Sequence, residues 1–411
     1  MKSLLLFVCL TVAAFAGDHW PDWRGTAGDG CSDAVSLPLT WSETENIKWK
    51  TIIHDKGWST PVIWGDQIWL TTAKEDGHEF YALAVDYPSG KVMRDIKVFS
   101  CTDPQSINSL NSYATPSPVI EEGRVYVHYG TFGTACIDTR SGKVIWRWNE
   151  LHCEHVQGPA ASPFIFENLL ILHLEGSDVQ LIVALNKATG KMVWKAERPK
   201  EHYTDKPLYY KAYITPIIIR VNGKPQLISN GSKVCQAFDP YTGKEIWRVV
   251  YGGDSTISRP IAGDGMVYVN TGWEEESAEL WAVKPDGVGD VTTTHVAWKV
   301  VEHIPIESSP VFVNHLIFTV DDRGTASCLN AKTGEVLWQQ KLNGMFGASL
   351  LYAQGRIYFF DKKGKTTVVA AEKTYKPLAV NMLGDGFMAS PAVKANSLIL
   401  RSRTHLYRIE E

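Results

Sequence analysis

The chain has 411 residues, 44% of them apolar and 15 of them tryptophan, enough to bury a large core. Its 41 basic and 45 acidic side chains give a net charge of −4, a mildly acidic balance that argues against nucleic acid and against a polybasic membrane contact. Length alone suggests two or three domains, but an internal repeat overrides that expectation and predicts one closed ring.

Residues 1–16, MKSLLLFVCLTVAAFA, place Lys2 before an apolar run too short to span a bilayer and end in Ala14-Phe15-Ala16. This is the pattern of a signal peptide cleaved before Gly17, so the protein is expected to be exported, periplasmic or extracellular. No later stretch is apolar enough to span a membrane. Residues 17–45, with HWPDWRGTAGDG at His19–Gly30, form a loop-like cap whose Trp20 and Trp23 are expected to pack on the ring. Asn46 to Lys50 then looks like a single outer strand bearing Trp49, with no partner strands before it.

The repeat follows. A proline opens an apolar run at Pro61, Pro118, Pro163, Pro216, Pro260, Pro310 and Pro391, and Ala348-Ser349-Leu350 fills the remaining slot. Each unit closes in a turn and a strand ending in tryptophan: DTRSGKVIW at Asp138–Trp146, NKATGKMVW at Asn186–Trp194, DPYTGKEIW at Asp239–Trp247, and a copy ending at Trp338. Weaker copies end at Arg94, where the tryptophan is lost, and at Trp298. Such units predict four-stranded antiparallel blades, and eight openings predict an all-β, eight-bladed propeller over 46–411. Face-to-face packing and ring closure remove the exposed faces of each sheet. Trp49, Trp146, Trp194, Trp247, Trp298 and Trp338 are the expected seam residues between blades. Residues Ser390 to Glu410 supply only three strands, so the last blade is expected to take its fourth from the N-terminal Trp49 strand.

Six cysteines remain after residue 16, with no C-x-x-C and no adjacent pair, so zinc ribbons and c-type haem are unsupported. Cys136 and Cys328 fall where sister blades carry alanine and should act as small core residues of an inner strand. His152-Cys153-Glu154-His155 is expected to be a solvated loop, because no second ligand pair is spaced to complete a metal site. Propeller topology places the residues before each proline and the middle hairpins at one mouth of the channel. The binding candidates there are Trp58, Tyr129, Asp178, Arg259, Trp273, Glu307, Asp322, Arg323, Arg403 and His405. Trp58 and Trp273 could stack on a sugar or peptide, while the Asp321–Gly324 stretch is first of all a turn.

With Ala237 ahead of it, DPYTGKEIW matches every position of A-x-D-x-x-T-G-K-E-x-W, and so resembles the tryptophan-docking repeat of quinoprotein dehydrogenases. WPDWRG, GPAASP, KAYITP, VKPDGVGDVTTTHVAW and DGFMASPAV extend the resemblance over the chain past residue 16, to exported bacterial pyrroloquinoline-quinone-like β-propeller repeat proteins. That resemblance implies the propeller fold and leaves three functions open. One is a non-catalytic, monomeric envelope scaffold for a protein or glycan, with no cofactor or metal, similar in role to the propeller lipoprotein of the outer-membrane barrel-assembly machinery. A second is a quinone- and calcium-dependent dehydrogenase, although the adjacent-cysteine pair usual in that family is missing. The third is a carbohydrate-active propeller using mouth residues such as His405, Tyr129 or Arg259.

Overall fold

The computed structural model describes residues 17–203, 206–273 and 278–411, so the expected signal peptide lies outside the described residues. Eight antiparallel four-stranded sheets, blades 1 to 8, follow one another around a ring. The middle strands of each blade are buried on both faces, because each face meets a neighbouring blade. Leu169–Glu175 is buried at all seven positions, whereas the outer strand Met192–Glu197 of the same blade is largely exposed. Hence the middle strands appear in the sequence as unbroken apolar runs. Apolar clusters fill every seam: Leu170 and Leu172 pack with Tyr126 between blades 2 and 3, and Phe318 packs with Phe359 between blades 6 and 7.

Blade 8 is closed by both ends of the chain. Ile47–Ile52 pairs antiparallel with His405–Ile409, which continues to Ser397–Arg401 and Ala392–Lys394. The Trp49 indole N–H then donates to the Tyr87 carbonyl of blade 1 at 2.8 Å, fastening the last blade to the first.

That docking recurs around the ring. The indoles of Trp146, Trp194, Trp298 and Trp338 donate to the carbonyls of Lys187, Pro240, Ala331 and Glu372 in the next blade at 3.0–3.1 Å. Opposite these tryptophans in the third strand stand small residues, Cys136, Ala184, Ala282 and Cys328, each followed by a β-bulge. The two cysteines are therefore core residues, as expected, but of the third strand. Trp247 departs from the pattern although its motif is the fullest. It is fully buried in the seam between blades 4 and 5, yet its N–H bonds Gln226 of its own blade at 2.9 Å. The reason lies in blade 5, where the tight turn is replaced by a longer loop whose Gly289–Asp290 runs parallel to Trp247–Arg248.

Residues 17–32 enter the channel instead of resting on the ring as a cap. His19–Trp20 pairs with Ile63–Trp64 in the innermost strand of blade 1, and Cys31–Ser32 pairs with the innermost strand of blade 7. Between them, the Pro21 carbonyl accepts from Ile120 N–H of blade 2. Arg24, 1% exposed, donates to the carbonyls of Asp29, Ser309, Pro310 and Leu350. The chain then runs outward along blade 7, where Trp41 N–H bonds the Asn381 side chain, and so delivers Ile47 to the outer edge of blade 8.

Candidate functional site

The residues before the innermost strands are held by a belt of hydrogen bonds. Seven backbone N–H groups donate to a Ser or Thr hydroxyl of the next blade at 2.8–3.0 Å: Thr60 to Ser117, Ser117 to Ser162, Ser162 to Thr215, Arg259 to Ser309, Ser309 to Ser349, Ser349 to Ser390, and Ser390 back to Thr60. Six of the seven hydroxyl residues precede a proline, which biases them to extended backbone, and Ser349, before Leu350, takes the same place in the belt. The belt breaks only at blade 5, where Arg259 replaces the hydroxyl. Its guanidinium donates instead to the Pro216 carbonyl and, at 2.7 Å, to Asp22 of the channel segment.

Above this belt opens a cavity of about 520 Å³. Its lining includes Trp23 from the channel segment and, from the loops, Trp58, Trp273, Tyr209 and Tyr213. Amides of Asn108, Asn111 and Gln157 and the hydroxyls of the belt supply its polar surface. Among the described residues two carboxylates line it, and both face ammonium groups. Glu307 is 2.7 Å from Lys362, and Asp254 lies 3.7 Å from Lys233 and 3.9 Å from Lys211. Burial lowers the Lys211 ammonium below its usual range, with Asp254 pulling it back up.

Of the ten predicted binding residues, Trp58, Trp273 and Glu307 line the cavity. Arg403 sits just outside, exposed, with its guanidinium 6.0 Å from the Trp58 ring centroid. Asp322 acts through its neighbours: its carboxylate accepts the N–H groups of Ile306 at 3.1 Å and Glu307 at 3.0 Å, and burial raises its pKa to about 6. The other five do not line the cavity. Tyr129 is fully buried, its hydroxyl donating to the Tyr81 carbonyl among the rings of Phe80 and Phe99. Arg259 is buried against the channel segment, held by the Pro216 carbonyl and by Asp22. Asp178 and Arg323 are exposed hairpin residues, Asp178 accepting the Glu154 and Val179 N–H groups. His405 opens the third strand of blade 8 and bonds Thr404; partial burial lowers its pKa.

The loop His152–His155 is only half solvated. Cys153 and His155 are buried, burial drives the His155 pKa down to about 4, and its Nε2 accepts the Thr131 N–H at 3.0 Å. Among the described residues no three metal-capable side chains form a cluster. Among the described residues, those of the cavity do not fit the calcium that would accompany a quinone. Calcium takes six to eight oxygens, carboxylates among them, whereas each lining carboxylate here faces an ammonium group. Sequence reasoning missed Trp23, Asn108, Asn111 and Gln157. Trp23 stood in a conspicuous WPDWRG, but its place in the channel follows from its neighbour Arg24, whose guanidinium bonds carbonyls 285 and 326 residues away.

Ring, docked tryptophans and repeat define a PQQ-like β-propeller. A family profile described as outer membrane protein assembly factor BamB matches residues 65–206, 178–288 and 277–375, and the chain belongs to that family. Among curated relatives, BamB of Yersinia pestis is 22% identical over 178 residues, 41% of this chain and 41% of that one. Quinohemoprotein alcohol dehydrogenase ADH-IIG of Pseudomonas putida is 23% identical over 249 residues, 54% of this chain and 31% of that one. The match thus spans less than half the length of either relative. The crystal structure of BamB from Moraxella catarrhalis superposes with a TM-score of 0.60 at 13% identity, over 88% of this chain and 99% of that one, which is a likeness of fold. Among the described residues no helix is long and apolar enough to cross a membrane.

Proposed function

We propose that the protein is an exported β-propeller scaffold of the cell envelope, binding a protein or glycan on its cavity-bearing face and performing no chemistry there. Membership of a family described by an outer-membrane assembly factor supports the envelope scaffold. The observation that carries the non-catalytic part is the state of the ionisable groups. Among the described residues the cavity lining holds no histidine or cysteine, and its two carboxylates, Asp254 and Glu307, each face lysines. General acid–base or nucleophilic chemistry needs a group free to exchange a proton or attack, and the paired carboxylates are a poor source of one.

The test is native mass spectrometry of the purified protein with pyrroloquinoline quinone and calcium, followed by dye-linked oxidation of a panel of alcohols. The scaffold reading expects no stoichiometric quinone complex and no alcohol-dependent dye reduction. A one-to-one complex that reduces dye would replace it with the dehydrogenase.

A further inference from the structure

We propose that the cavity at the channel mouth binds an uncharged saccharide, stacked against Trp273 and Trp23 and hydrogen-bonded by the side-chain amides of Asn108 and Gln157. The proposal rests on the binding-scaffold reading and narrows it to one ligand chemistry. Aromatic surface is the first reason. Trp273 is 43% exposed in the wall of a concave site, and Trp23 lines the same cavity from the channel segment. An exposed indole in a cavity is the informative kind of exposed apolar residue. Its electron-rich face attracts polarised C–H groups, of which a sugar ring presents a full face.

The second reason is which hydrogen-bonding groups are left over. A peptide brings a donor and an acceptor with every residue and is best held by a free strand edge. Among the described residues, none of those lining the cavity belongs to a strand of the sheets, and several of their backbone groups are already used. Trp58 N–H bonds the Ala114 carbonyl, Tyr213 N–H the Thr256 carbonyl, and Asp254 and Trp273 bond each other in both directions. The belt N–H groups are bound to hydroxyls. By contrast, the Gln157 side-chain amide and the Asn108 amide nitrogen make no hydrogen bond within the described chain, and both residues are exposed. Among the described residues the Trp23 indole N–H has no acceptor but is shut off from the cavity, so Trp23 offers a ligand its ring alone.

Charge supplies the third reason. Among the described residues the lining's one lysine, Lys211, already donates to the Leu208 carbonyl and lies 3.9 Å from Asp254, and the exposed Arg403 guanidinium stands outside the lining near the Trp58 ring, so within the cavity a carboxylate or phosphate meets no free cation. Neutral hydroxyls suit neutral amides. A volume of about 520 Å³ suits a small oligosaccharide end.

The experiment titrates the purified full chain with cellotriose, maltotriose, laminaritriose and chitotriose, using calorimetry and saturation-transfer NMR, with trigalacturonate as a charged comparison. At least one neutral trisaccharide should bind saturably at one-to-one stoichiometry. Trp273→Ala should weaken it about tenfold or more and Gln157→Ala several-fold, both with unchanged thermal unfolding because both side chains are exposed. Trp23→Leu, which removes the ring from the cavity wall, should weaken binding several-fold. No binding by any neutral trisaccharide at about 10 mM, affinity unaltered in both exposed-site variants, or tighter binding of trigalacturonate would overturn the proposal. Release of reducing ends from a bound sugar would overturn the non-catalytic reading while leaving the site in place. Failure to bind would remove the site and leave the scaffold reading to its quinone test.

Discussion

Arg24 is the side chain on which the centre of the ring depends. Burial lowers its pKa to about 10, so it stays charged at neutral pH, and its guanidinium gathers four carbonyls from its own segment and from blades 6 and 7. Gly30 is held to the same arrangement: at φ +81° it also comes so close that a Cβ would lie 2.5 Å from the guanidinium carbon. Arg24→Ala strands those carbonyls and should cost about 3–5 kcal/mol in urea unfolding. Arg24→Lys should recover less than half of that, because an ammonium cannot fork across separated acceptors. Asp322 carries a different kind of prediction. Its folded-state pKa, about 6, lies above the ordinary aspartate value of 3.8, so the folded protein binds the proton more tightly than the unfolded chain. The stability this group contributes is therefore present below about pH 4 and lost as pH rises through about 6. Denaturation midpoints of wild type and Asp322→Asn, compared from pH 4 to pH 7, should show wild type losing ground to the variant across that window. A constant difference would mean that Asp322 is ionised throughout.

At the scale of the blade, tryptophan and glycine act as one device. Gly190 turns at φ +73°, and a Cβ there would lie 2.7 Å from the Trp146 ring of the preceding blade. Gly190→Ala therefore combines backbone strain with a clash and should cost about 2 kcal/mol or more by thermal unfolding, above the roughly 1 kcal/mol of the φ effect alone. Where the tryptophan is lost, Arg94 does the same work, its guanidinium donating to the Ser141 and Arg140 carbonyls of the next turn and lying beside Gly142. Restoring the repeat with Arg94→Trp should leave stability unchanged or raise it by up to about 1 kcal/mol. These devices were legible in the sequence because they are local: the Thr-Gly turn, the closing tryptophan and the apolar middle strands all fall within one unit. The exception at Trp247 was not legible, because its docking depends on the length of the loop in the next blade. The mouth was half legible. Topology placed Trp58, Trp273 and Glu307 there, but it could not tell that the Tyr129 hydroxyl turns inward to Tyr81. Nor did it show that Arg259 would be claimed by Asp22, because no repeat unit contains the channel segment.

For the whole molecule the question is which N-terminal element keeps the ring shut, since two of them bridge its closure. The channel segment, residues 17–32, touches the inner strands of blades 1 and 7; the strand Ile47–Ile52 completes the outside of blade 8. The inner contact is made of two-residue pairings and buried polar bonds. The outer one is a six-residue strand with five registered pairs, and Trp49 carries it onto blade 1. Losing the outer strand would also bare the long flat edge of His405–Ile409, an invitation to pair with another chain. Two truncations separate the roles. A chain beginning at residue 33 should keep the association state of the full chain by size-exclusion chromatography and unfold cooperatively at a lower temperature. One beginning at residue 53 should lose its cooperative transition or self-associate through the bared edge. A synthetic peptide of residues 45–53 should restore the second chain, since ligand binding to the folded state alone stabilises it by mass action. The inner segment gives the opposite signature. If the chain beginning at residue 33 fails as completely as the other, and the peptide rescues neither, the ring is held from its axis and the outer strand merely covers an edge.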